Sequence, residues 1–293
     1  MSTISTPRKD TGFRLHSNPV LTRMEKITER AQVSDVATYS GIFTKTAYFL
    51  LVTIASVLAY ALLTGTLFAN GSIRIPVEMG SDTARSVSYI TFSTLEAVLT
   101  GVSALLTFIM PFVCAFSVGA TPLCGTLYCV GEGYLLAVLV YKGLPLMNLP
   151  TSIGMLALFL TIMVVGFLAF LYTKRIVSVN RKFYAFLFAV AGAVILSGVL
   201  TFILYLIPFT RPLVSGLLQN PMMAVLADGI SVVLASLFIL SDFAVIENCV
   251  EEQYPVRYEW MAAFGLAFSV IWLYLKILEI LIRIFANSKN NNK

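Results

Sequence analysis

Charge is what this chain has least of. Asp, Glu, Lys and Arg make up 12% of its 293 residues, where a soluble domain carries about 25%. Too few ionic groups remain to cover a water-facing surface. With 58% hydrophobic residues and a mean hydropathy of +0.87, lipid is the expected solvent for most side chains. Histidine is nearly missing: His16 is the single one and lies in the polar N-terminal stretch. That excludes an intramembrane Ser–His pair, and no HExxH zinc motif occurs. No Gly-rich loop of the Walker type appears. The four cysteines (Cys114, Cys124, Cys129, Cys249) form no metal or redox motif, and three fall in apolar runs where Cys acts as a small hydrophobe. No cleavable signal peptide is expected, because the first apolar segment begins only after Thr46. The net charge of +5 is spread over loops and ends without the stripe that tracks phosphates, so nucleic acid is not an expected partner. Neither an enzyme nor a cofactor is expected.

What the chain does have is seven long apolar runs: residues 46–69, 95–118, 122–141, 149–172, 183–207, 222–246 and 261–285. Each is long enough to cross about 30 Å of hydrocarbon at 1.5 Å per residue. The expected fold is an all-α, polytopic membrane protein, a seven-transmembrane helix bundle. Residues 1–45 form a polar N-terminal tail, 46–286 the transmembrane domain and 287–293 a short polar C-terminal tail. Within the N-terminal tail, residues 18–30 read either as a short surface helix or as a solvated segment. Pro111 marks an expected kink, and the Gly-, Ser- and Pro-containing stretch 70–94 is the longest loop between spans. With the N-terminus inside, inner segments hold twelve Lys and Arg and outer ones seven. That excess favours a cytoplasmic N-terminus.

An ionised group in hydrocarbon costs at least about 2.5–3.5 kcal/mol on insertion scales, so it faces a partner or a water-filled cavity. Glu96, Glu132, Asp228, Asp242 and Glu279 fall in or beside spans, with Lys276 as the accompanying base. Glu132 lies in Gly131-Glu132-Gly133, where two glycines permit close helix approach; it reads as a pathway acid or as a structural hydrogen-bonding group. Asp228 and Asp242 share one helix face, about 21 Å apart, too far for a shared-proton dyad. Asp228, near the outer end, reads as solvated, and Asp242, deeper, as functional. Lys276, Glu279 and Arg283 form one polar stripe on the last helix. Glu247, Glu251, Glu252 and Glu259 read as a solvated inner loop, with attraction of cations as the second reading.

Towards the C-terminus the residues acquire a family likeness. Ser241-Asp242-Phe243, Ile246-Glu247, Glu259-Trp260-Met261-Ala262-Ala263-Phe264-Gly265-Leu266 and Trp272-Leu273-Tyr274-Leu275 closely resemble the Bax inhibitor family in its YccA-like bacterial branch. Asn18-Pro19-Val20, Lys45-Thr46 and Tyr128-Cys129-Val130-Gly131-Glu132-Gly133 agree with it. The resemblance implies a central last helix wrapped by the others, in a bacterial inner membrane. It also implies a pH-sensitive calcium leak gated by acids on the last two helices. Asp242 matches the first of these acids, a weak and transient calcium ligand. The second is expected where this chain has Lys276, and Glu279, one turn along, is a possible substitute. An Asp242–Lys276 ion pair would latch the two helices and blunt the pH response; Lys276 turned to Glu132, Glu279 or water would not. Two other classes stand beside the leak: a non-conducting protein that regulates a membrane protease or a stress response through other membrane proteins, and a proton-coupled transporter.

Overall fold

The computed structural model describes residues 36–66, 68, 73–79 and 86–291; the helix weighed for residues 18–30 lies outside them. The chain divides into two units, Met1–Val36 and Ala37–Lys293, and the helices belong to the second. Its helices among the described residues are α1 (Tyr39–Thr64), α2 (Thr94–Phe116), α3 (Thr121–Leu146), α4 (Ser152–Thr173), α5 (Arg181–Leu206), α6 (Arg211–Gln219), α7 (Pro221–Glu251) and α8 (Tyr258–Asn291). All except α6 are long and apolar enough to cross a membrane. The protein is an all-α polytopic membrane protein. Successive spans alternate in direction, so the end of the bundle where α1 begins, the first face, also carries the α2–α3, α4–α5 and α7–α8 turns.

Local chemistry sets the helix limits. Thr38 accepts a hydrogen bond from the Gly41 amide (3.0 Å) and starts α1 at Tyr39, ahead of the expected boundary at Thr46, because a cap and not the first apolar residue decides where a helix begins. Ser93 and Glu96 form a reciprocal capping box on α2. Asn180 and Asn220 cap α5 and α7, the latter with Pro221 in the first turn. Asn148, Arg175 and Gln253 take positive φ just beyond α3, α4 and α7, the left-handed residue that ends many helices. Helix α2 runs through Pro111 as one element, and α8 extends past residue 286, where the C-terminal tail was expected to begin. Stretch 70–94 is more than a loop. Strands β1 (Ile73–Met79) and β2 (Ser86–Phe92) pair antiparallel, Ile75 opposite Ile90 and Ile73 opposite Phe92. Alternating β-branched residues favour that pairing over coil.

Helix α8 is the centre, packed by α7, α1, α4 and α3. Ala263, Ala267 and Leu273 of α8 have no exposed surface. Phe49 of α1 and Tyr128 of α3 meet Phe264 edge-on. A Cβ at Gly125 would stand 2.8 Å from the Phe49 ring and one at Gly133 would press into the Thr53 carbonyl, so these two glycines set how closely α3 approaches α1. In contrast α5 buries only Leu187 and presents apolar side chains outward on every side, the pattern of a helix bathed in lipid.

Candidate functional site

Three acids near the ends of the bundle are buried, and each meets a cation. Glu259, in the first turn of α8, is 2% exposed. It accepts the Thr38 amide (2.7 Å), the Thr38 hydroxyl (3.2 Å) and the Lys45 ammonium. A Cβ on Gly41 would collide with its carboxylate. Glu96, 0% exposed, accepts Tyr60 Oη at 2.6 Å and Lys142 Nζ at 2.6 Å. Lys142 also donates to the Thr91 carbonyl (2.6 Å) and lies over the Phe92 ring, which ties the hairpin to the helices. Asp228 accepts Arg283 Nε at 2.6 Å.

These contacts correct two sequence readings. Asp228 is not solvated: it is 6% exposed, because Arg283 on the neighbouring helix replaces water as its partner. The acids placed in a solvated inner loop also separate. Glu247 and Glu251 continue α7, where Glu247 takes the Tyr172 hydroxyl and the Arg175 guanidinium, and Glu259 is enclosed. The tertiary approach of α1 and α4, which sequence spacing does not report, supplies those partners.

Asp242 is different. It projects from α7 toward α8, where Ser269 lies beside it and a Cβ on Gly265 would lie 3.8 Å from Oδ1. Its second oxygen, Oδ2, is buried and has no hydrogen-bond partner among the described residues. Lys276 does not supply one. Its ammonium sits 2.9 Å from Glu279 Oε2. Glu279 lies 3.6 Å from Arg283, so Lys276, Glu279, Arg283 and Asp228 form a chain of alternating charge along the α7–α8 seam. The separation explains this: from Ser269 to Lys276 is two turns, about 10 Å along the helix axis. Glu132, on α3, is partly buried and makes no hydrogen bond or ion pair among the described residues. It shares the helix face of Tyr128, which packs on Phe264 and Phe268 of α8. The structure therefore brings Lys276 and Glu279 together and leaves Asp242 and Glu132 outside that pair.

Among the described residues no three His, Cys, Asp or Glu groups converge as a metal site. One carboxylate and one hydroxyl at the Asp242 position offer a hard divalent cation few of the 6–8 oxygens it takes, so water would complete the shell and residence there would be brief. Sequence reasoning missed Lys45 and Lys142 as partners of buried acids. The Ser93-to-Glu96 spacing was a readable signal for the second of these acids, since S-x-x-E marks a capping box.

A bundle of seven apolar helices with the last at its centre, and in the seam of the final pair an acid unpaired among the described residues, defines an integral multi-pass membrane protein. A family model described as Bax inhibitor 1 like matches residues 18–286, and the chain belongs to that family. No curated protein and no solved structure matches it.

Proposed function

We propose that the protein is a cation leak, with calcium as its cargo, and that Asp242 is the acid through which pH controls it. The observation that carries this reading is the buried, unpartnered Oδ2 of Asp242 between α7 and α8. A carboxylate in that position has three ways to be tolerated: a cation partner, a bound ion or a proton. With Lys276 engaged by Glu279, no described residue provides a fixed cation, and the ion and the proton compete for one site. Charged, Asp242 draws a hard cation into the seam; protonated, it offers the ion nothing. The count of twelve Lys and Arg against seven, taken along the sequence with the N-terminus inside, supports a cytoplasmic start of α1.

The test is calcium flux from liposomes holding the purified full-length protein, scanned between about pH 6 and 8. The native protein should leak with a clear pH dependence, and Asp242→Asn, which keeps volume and loses charge, should abolish that dependence. Unaltered pH dependence in Asp242→Asn makes the acid structural, and a native protein that passes no calcium removes the leak.

A further inference from the structure

A cavity of about 1240 Å³ runs across the bundle between α1 and α4. It begins at the first face beside Tyr39 and Arg175 and reaches Leu58 and Met155 toward the other. Helix α1 packs broadly on α3 and α8, and α4 on α7 and α8, but α1 and α4 do not pack broadly on each other. A furrow open to the side remains. Its walls include Phe43 and Leu50 from α1 and Ile162 and Gly166 from α4, and no ion pair lies within it except at the first-face end.

We propose that this furrow is a binding site for one anionic phospholipid, its acyl chains lying between α1 and α4 and its phosphate held at the α4–α5 turn. Size separates the occupants. A transmembrane helix with its side chains fills on the order of 2,500 Å³, from a 10–12 Å diameter and a 30 Å length, about twice the space present. The furrow is nevertheless larger than the 300–1,000 Å³ that suits a drug-sized molecule. Flexible chains suit a long, narrow apolar slot. Charge selects the headgroup. The turn carries Lys174, Arg175, Arg181 and Lys182, and Arg175, 72% exposed at its side chain, marks the end of the furrow. Glu247 lines the same end, but Tyr172 and Arg175 already satisfy it. Arg175 is the cation of this turn that lines the furrow; no carboxylate among the described residues pairs with Lys174, Arg181 or Lys182, so the turn around Arg175 keeps an excess of positive charge for a phosphate. Basic pockets between helices on one membrane side are how headgroups of this charge are held. Asp242 itself does not line the furrow, although Phe243 and Leu266 beside it do, and lipid binding there does not depend on the leak.

Gly166 gives the means to test it, because a Cβ there meets nothing within 4 Å. Full-length protein is reconstituted in phosphatidylcholine vesicles containing a minor share of phosphatidylglycerol and re-extracted in mild detergent, and its retained lipid is measured by mass spectrometry. The native chain should keep phosphatidylglycerol well above its share in the vesicles. Gly166→Phe, filling the furrow, should lower that retention roughly tenfold, whereas Gly166→Ala should not. Replacing Lys174, Arg181 and Lys182 together by Gln should leave lipid bound but remove the preference for phosphatidylglycerol. Should Gly166→Phe fail to elute as folded protein, Ile162→Trp fills the same furrow from an exposed position. A folded, filled variant that keeps native lipid overturns the proposal, as does a native protein that retains no lipid or retains both lipids in vesicle proportion.

Discussion

The ends of this bundle and the middle of its last helix pair treat the same functional group in opposite ways. Near the ends Glu96, Glu259 and Asp228 are enclosed by Lys142, Lys45 and Arg283. In the α7–α8 seam, Asp242 has Ser269 beside it and a buried oxygen with no partner among the described residues. Paired acids join elements that are distant in sequence, α1 to α8 through Glu259 and the hairpin and α3 to α2 through Glu96. They are fasteners, and their charge is spent on a neighbour. The charge of Asp242 is not committed to any described neighbour, and the proposed leak rests on that freedom.

The largest stability effect should come from stranding a fastener. Lys142→Met leaves Glu96 buried without its cation, which should cost about 3–5 kcal/mol, and adding Glu96→Gln should recover most of it. Thermal unfolding in detergent measures both, and a single variant as stable as the native protein would erase the contrast between ends and middle. Packing comes next. Gly133→Ala drives a methyl group into the Thr53 carbonyl and should cost about 1–3 kcal/mol, while Gly166→Ala in open space should stay within about 0.5 kcal/mol; equal losses from the two would mean that close approach of α3 to α1 is not what Gly133 provides. Lys276→Gln should cost only about 0.5 kcal/mol, as an i,i+3 pair does, because Glu279 keeps Arg283. It should also leave the pH response of calcium flux as it is in the native protein; a response that appears only in Lys276→Gln would mean that the ammonium reaches Asp242 after all. Asp242→Asn should have the smallest stability effect, no loss beyond about 0.5 kcal/mol, because Asn retains a group for Ser269 and the lost oxygen had no partner to strand. Unfolding well below the native temperature would class Asp242 with the fasteners.

Much of the fold was legible along the chain. Seven apolar runs, interrupted by Asn, Gly, Pro and charge, fix where helices can cross, since hydrocarbon leaves a backbone no other way to satisfy its polar groups. Gly131-Glu132-Gly133 announced a close helix crossing, and Asp242 stood out because a carboxylate inside an apolar run needs a reason. The helix starts were less legible: Thr38 and Ser93 act through side-chain caps outside the apolar runs, so hydropathy alone set α1 too late. The hairpin was obscured by Gly, Ser and Pro around its short strands.

The sequence by itself determined the membrane class, the number of spans, the central acid on α7 and the family, because each depends on local composition or on residues close in the chain. Tertiary structure alone decided which charges meet across helices. Lys276 had Asp242, Glu132 and Glu279 open to it, and the distance along α8 gave it to Glu279. Lys45 and Lys142 were simple counts on one side or another of a membrane until folding set them against Glu259 and Glu96. An ion pair depends on a separation of a few ångströms between groups that are 214 residues apart in one case and 46 in the other. No pattern in the chain encodes that separation before the helices pack.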